Sequence, residues 1–349
     1  MDNVEWRIVG VRGRAAFTET ASLFALLFLL FTSVASAQLV RSIDAIGMTV
    51  ADMDRSIEFF SKVLSFEKIT DVEVHGSEYE TLQGVFGLRM RVTRLALGAE
   101  KIELSQYLAP AGRRIPPDWR SHDHGFQHIA IVVSDMDKAY QQLRRHKVRH
   151  VSTAPQTIPA SNQAAAGIRA FYFKDPDGHN LEVIYFPPGK GDPRWQNNSG
   201  KLFLGVDHTA IVVSDTPNSL KYYRDLLGLK LAGASMNYGT EQEHLNNVAG
   251  ARLHISGLKA PGGPGIEFLE YLTPRDGRPA PKDTMANDLW HWQTTLTTDN
   301  AANAAHKLNG AKRRVISPSI ANLPEKLLGF SRGFLARDPD GHGLQIIEK

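Results

Sequence analysis

The 349-residue chain contains no cysteine. Disulfides, thiolate metal sites and cysteine nucleophiles are therefore excluded together. A dominant charge is missing as well: 40 Lys and Arg stand against 37 Asp and Glu, a net charge of +3. No run of Lys and Arg interleaved with aromatics occurs, so no nucleic-acid partner is expected. Long apolar runs are absent but for one. Residues 20–40, TASLFALLFLLFTSVASAQLV, carry no charge, and their apolar heart is Ala21 to Val34. That heart falls short of the roughly 20 residues a membrane span needs.

It is followed by Ala35-Ser36-Ala37, a small-x-small cleavage pattern. The expectation is a signal peptide over 1–37, cut before Gln38, and a secreted or periplasmic protein with no stable membrane insertion after cleavage. An uncleaved anchor is the alternative. Residues 1–19 hold three Arg and three acidic residues, so the leader lacks the usual positive excess; translation from Val11 would restore it.

The remainder is rich enough in apolar residues, 42% of the chain, to fill the cores of two domains. Its clearest feature is a repeat. DPDGHNLEVIYF (175–186) returns as DPDGHGLQIIEK (338–349), with Glu182 exchanged for Gln345. The same spacing sets VFGLRMRV beside VAGARLHI, and a spacing one residue longer sets IELSQYLAP beside IEFLEYLTP, so the chain is a duplication. Each half divides again. IDAIGMTVADMDRSIEFFSKVL, HIAIVVSDMDKAYQQL and HTAIVVSDTPNSLKYYRDLL each run an apolar strand into an Asp N-cap and an amphipathic helix. The DPDG turns join the last two strands of modules two and four. An α+β fold of four βαβββ modules follows, at 41–109, 125–187, 204–273 and 288–349. Pro- and Gly-rich connections separate them. The two halves, 41–190 and 202–349, are expected to be domains whose own two modules pair.

Four βαβββ modules with a strand-Asp-helix opening and a G-H-x-L-E ending resemble the vicinal oxygen chelate superfamily, which includes glyoxalases, bleomycin-resistance proteins and extradiol dioxygenases. The resemblance implies paired modules whose curved sheets enclose a cavity, with metal ligands on the first strand (His) and last strand (Glu) of each module. Carried onto this chain, it gives Ala45, Glu103, His128 and Glu182 in the first half. In the second half it gives His208, Glu267, His291 and Gln345. The favoured site is the second set, with Glu267 as catalytic base; Glu103, His128 and Glu182 form a second candidate site. Gln345 would leave a bound ion more Lewis-acidic than a second carboxylate would.

Strand alternation independently puts His291, Gln293 and Thr295 on one face, and Glu103, Ser105 and Tyr107 on another. Two imidazoles with oxygen donors suit one divalent metal ion, Fe, Zn, Ni, Mn or Co. The resemblance implies an enzyme acting on a small oxygenated substrate, as a lyase or isomerase or as a ring-cleaving dioxygenase. A small-molecule binder without metal is the alternative. Tyr238, Glu243, His244, Arg252 and His254 are further polar candidates in module three. His122, His124, His179 and His342 read as surface or turn residues.

Overall fold

A computed structural model of the chain describes residues 38–197 and 200–349. The expected signal peptide, 1–37, lies outside the described residues. Among those described, no helix is long and apolar enough to cross a membrane.

Four modules follow in order. The first holds β1 (Ser42–Thr49), α1 (Met53–Leu64), β2 (Glu67–His75), α2 (Ser77–Gln83), β3 (Arg89–Leu97) and β4 (Glu100–Ala109). The second holds β5 (Phe126–Val133), α3 (Met136–Arg145), the short β6 (Arg149–His150) and β7 (Gln156–Thr157), β8 (Arg169–Lys174) and β9 (Asn180–Tyr185). The third holds β10 (Phe203–Val212), α4 (Thr216–Leu220), which runs on into a wider turn over Lys221–Leu226, β11 (Lys230–Tyr238), α5 (Thr240–Asn246), β12 (Arg252–Lys259) and β13 (Gly265–Thr273). The fourth holds β14 (Trp292–Thr297), α6 (Ala301–Gly310), the short β15 (Ala321–Asn322), β16 (Arg332–Arg337) and β17 (Gly343–Glu348).

The helices start where their caps dictate. Asp52, Asp135, Asp215 and Asn300 each accept a hydrogen bond from the backbone N–H three residues on. The DPDG segments are tight turns. Asp175 accepts from the N–H groups of Asp177, Gly178 and His179 and from His179 Nδ1 at 2.7 Å. Asp338 does the same for His342. Gly178 and Gly341 sit at φ of 103° and 100°, where a side chain would be strained. His179 and His342 thus hold turns, as expected of them.

The modules form two curved sheets, but the partners differ from expectation. One sheet runs β15-β16-β17-β14-β1-β4-β3-β2 and joins module four to module one. The other runs β11-β12-β13-β10-β5-β9-β8-β6 and joins module three to module two. First strands meet antiparallel at each seam, β1 with β14 and β5 with β10. Modules one and two share a helical core instead of a sheet. Phe60 and Leu64 of α1 cluster with Ala139 and Leu143 of α3 and with Ile46, Met48, Ile129 and Ile131 from the strands. Modules three and four share another around Tyr222, Tyr223, Ala304 and Leu308.

The seam strands are buried on both faces, and this fixes where each side chain points. On β5, Ile129, Ile131 and Val133 enter the helical core while Ala130 and Val132 line the other face. His128 shares the face of Ala130. The concave side of each sheet therefore receives first-strand residues from two modules that belong to different halves of the chain.

Candidate metal centre

Crosswise pairing assembles a donor set that neither half contains. His128 and Glu182 come from module two, His208 and Glu267 from module three. His128 Nε2 lies 2.9 Å from Glu182 Oε2 and 3.3 Å from His208 Nε2. His208 Nε2 is in turn 3.7 Å from Glu182 Oε2 and 3.5 Å from Glu267 Oε2. Register explains the convergence. Ala130 pairs with Glu182 and with His208, while Ala210 pairs with Glu267 and with His128.

Both imidazoles are oriented from behind by the preceding residue. His128 Nδ1 meets the Gln127 amide oxygen, and His208 Nδ1 lies 3.0 Å from Asp207 Oδ2. Asp207 also accepts from the Trp195 indole N–H at 2.8 Å. A Cβ on Gly205 would lie 2.8 Å from that indole, so glycine there lets the ring reach Asp207. With Nδ1 engaged, each Nε2 faces the cluster, the arrangement a metal-bound imidazole needs.

The electrostatics call for a cation. Burial works against a protonated His208, but Glu267, Asp207 and Glu182 outweigh it and push its pKa up to about 10. Glu267 is pushed up by burial, and by Glu182 and Asp207 against the pull of the two histidines. No Lys or Arg pairs with Glu182 or Glu267 among the described residues, so the two carboxylates share what positive charge the imidazoles can carry. His128, His208 and Glu267 offer ligand atoms that all lie within 4.8 Å of one another, a donor set that fits a divalent ion, and Glu182 lies against His128 beside them.

The wall is tyrosine and amide. Tyr172 lies tilted against His128, ring centroids 4.7 Å apart, and burial holds its hydroxyl well above the ordinary range, with Glu182 adding to the effect. The Tyr271 hydroxyl, likewise raised by burial, accepts from Asn246, which itself accepts from Gln242. Gln242 also lines a cleft of about 340 Å³ between the 158–164 loop and β11.

The favoured four-residue set is not assembled. His208 and Glu267 stand in one sheet, His291 and Gln345 in the other. The equivalent of His128 is not His291 but Gln293: Ala130 pairs with Glu182 and Thr295 with Gln345, and the ligand position lies two residues upstream. His291 sits just before β14, 3.2 Å from Gln293 Oε1 and 3.5 Å from Arg337, and burial and that guanidinium push its pKa down to about 3. The second candidate set is divided too. Glu103 lies in the module-one sheet, away from His128 and Glu182.

In the module-one/four cavity the equivalent positions are Ala45, Glu103, Gln293 and Gln345. Gln345 Oε1 accepts from Gln293 and Gln83, both at 3.1 Å. Glu103 is paired with Arg94 at 2.8 Å, and Arg94 also pairs with Asp44 at 3.0 Å. A guanidinium and an amide ladder fill the place where the other cavity gathers imidazoles and carboxylates.

Several lesser expectations change. Glu243 and His244 lie on the helix α5, Thr240–Asn246, and His244 is exposed there. Arg252 and His254 face away from the cluster, because Leu253, Ile255 and Gly257 are the β12 residues on the Tyr271, Leu269 and Glu267 side. His122 is buried and bonded to Asp276 at 3.0 Å, not a surface residue. The sequence reading missed Tyr172, Tyr271, Asn246, Asp207 and Gln127. Asp207 and Gln127 were signalled only by standing directly before the two histidines.

Two curved sheets of paired βαβββ modules, one carrying a cluster of His and Glu with the donor chemistry of a candidate metal site, define an internally duplicated cavity protein. The chain belongs to the Glyoxalase/Bleomycin resistance protein/Dioxygenase superfamily, which it matches over residues 42–183 and 205–346. It is 36% identical over 148 residues to a 2-epi-5-epi-valiolone epimerase of an Actinomyces species, covering 41% of this chain and 79% of that protein. It is 23% identical over 182 residues to a lactoylglutathione lyase of Arabidopsis thaliana, covering 52% of this chain and 53% of that one. Glyoxalase I from Zea mays shares the fold at a TM-score of 0.56 and 15% identity, over 88% of this chain and 92% of that one.

Proposed function

We propose that the protein is a divalent-metal-dependent isomerase or lyase that moves a proton beside a carbonyl of a small oxygenated substrate. The observation that carries this reading is the convergence of His128, Glu182, His208 and Glu267, with two carboxylates on one cluster. A divalent ion held there would stabilise the negative charge that develops on a substrate oxygen when a neighbouring C–H is broken. The Glu267 side chain is 24% exposed against 4% for Glu182, so Glu267 is the carboxylate open to substrate and the candidate base. It takes the proton from carbon; if Glu267 gives it back, the carbon keeps its configuration, and if Glu182, from the facing module, gives a proton of its own while Glu267 retains the first, the carbon inverts. Tyr172 and Tyr271, held protonated, exclude water and offer hydroxyls to the substrate. The cleft beside Gln242 is the proposed entry.

Similarity to an epimerase and to a lactoylglutathione lyase supports proton transfer. A dioxygenase reading draws on the subset His128, His208 and Glu267, the ligand types of Fe(II) oxygenases. Glu182, 2.9 Å from His128 Nε2, supplies a second carboxylate that proton transfer can use and the dioxygenase reading does not need.

The test is deuterium incorporation from D2O into a panel of 2-hydroxyketones and 2-ketoaldehydes, followed by NMR with the metal-loaded protein. Exchange that falls about 10²- to 10⁴-fold in Glu267→Gln is the expected result. Absence of exchange across the panel, with O2 uptake on catechols, would overturn it.

A further inference from the structure

Far from the donor cluster in the chain, module four borders a cleft of about 410 Å³ whose lining includes Lys282, Lys312, Arg313, Arg314 and Arg337. None of these five forms an ion pair with a carboxylate among the described residues. That is unusual for this protein, whose other buried or clustered guanidinium groups are paired: Arg94, Arg113 and Arg278 each hold two acidic residues.

Neutral groups hold the cations in place instead. Arg337 donates to the carbonyls of Gly341 at 2.7 Å and Thr284 at 3.0 Å, which fixes the plane of its guanidinium. Arg314 donates to the Lys282 carbonyl at 3.0 Å. The Arg313 guanidinium lies 5.6 Å from the centre of the Tyr222 ring. The Nε atoms of Arg313 and Arg337 are both buried without a hydrogen-bond partner.

Two carboxylates line the same cleft, and both are occupied. Asp338 accepts from His342 and from the Tyr223 hydroxyl, and Asp340 accepts from the Ser214 N–H at 3.1 Å. Five cations against these two anions leave a net charge of +3 in the cleft. Burial, and then Arg314 beside it, push the Arg337 pKa down to about 10.

The duplication supplies an internal control. Lys147 and Lys312 occupy the same left-handed turn after α3 and α6, so Val148 and Arg149 correspond to Arg313 and Arg314. Lys174 corresponds to Arg337 at the end of the matching strand and likewise donates to its turn carbonyl, Gly178, and also to the Asn180 side chain. The fold is built in module two without the guanidinium at 313. The charge at Arg313 is therefore not a requirement of folding.

We propose that this cleft is a binding site for a compact polyphosphoryl anion, of the diphosphate class. Planar guanidinium groups present paired N–H donors that match phosphoryl oxygens. A single carboxylate would leave most of the excess charge unbalanced, whereas a diphosphate group of charge about −3 would cancel it. The cleft is of small-ligand size.

The test is calorimetric titration of the full chain with inorganic diphosphate, repeated with ADP to learn whether the group is recognised free or within a nucleotide. One site is expected, weakened by added salt. Its affinity falls about 10-fold or more in each of Arg314→Gln and Lys282→Gln, at exposed positions that tolerate substitution. The His128→Ala/His208→Ala variant retains the binding, which separates it from chelation at the donor cluster. Lack of binding, an affinity unchanged in both surface variants, or binding lost only in the double histidine variant would each overturn the proposal.

Discussion

Arg94 and Gly257 occupy the same position in the two halves of the molecule. Arg94 stands across from Glu103 on the neighbouring strand, and Gly257 stands across from Glu267. One sheet therefore neutralises its last-strand carboxylate with a guanidinium built into the fold. The other leaves the space open, since a Cβ at Gly257 meets nothing within 4 Å.

That contrast makes Gly257→Arg an informative substitution. The new side chain has room to enter and to pair with Glu267 as Arg94 pairs with Glu103. Metal content, read by plasma mass spectrometry on protein purified without chelator, is expected to drop from about one per chain to near zero, with secondary structure by circular dichroism unchanged.

Removal of the imidazoles should locate the metal. The pair His128→Ala/His208→Ala is expected to abolish metal loading, whereas His291→Ala/Gln345→Ala is expected to keep it, because those two side chains lie in the other sheet. Retention of metal in the first variant would place the ion elsewhere.

Asp207 touches His208 only from behind, so Asp207→Ala should weaken without abolishing binding. A loss of about 10- to 100-fold in metal affinity is expected from the freed imidazole. Competition with a fluorescent chelator measures it.

Acid stability should depend on Asp123. Burial alone would raise its carboxyl, but Arg278, Arg120 and two backbone N–H donors pull it down to about 2. A depressed carboxyl contributes stability in full above its unfolded value near pH 4, lost as pH falls through 2. Asp123→Asn is therefore expected to lower Tm at pH 7, by the equivalent of ~1–3 kcal/mol since both arginines are partly exposed. Denaturation scans at pH 7 and pH 2 should show that difference shrinking.

The modular plan was legible because strand, Asp cap and helix recur at regular spacing, and the caps at Asp52, Asp135 and Asp215 form as read. The partner of each first strand was not legible. β1, β5, β10 and β14 are all apolar and two-faced, and nothing in such a strand says which seam it joins. The exchange of His291 for Gln293 has a sharper cause. A two-residue shift along a strand returns side chains to the same face, so alternation endorses either residue and only the hydrogen-bonded register separates them. Arg94 escaped notice because the residue it meets, Glu103, is nine positions away and looked like a ligand.

The nested pairing of modules has a consequence for how the protein is made. His128 and His208 are 80 residues apart, whereas Ser42 and Thr297, joined across the other seam, are 255 apart. On a chain emerging from the ribosome, the donor cluster can close while module one still waits for a partner that has not been synthesised. The sheet that carries the donor cluster is thus the early-formed one. The half with the built-in guanidinium behaves as a late latch, whose exposed seam strand β1 is the segment most in need of a chaperone until translation is finished.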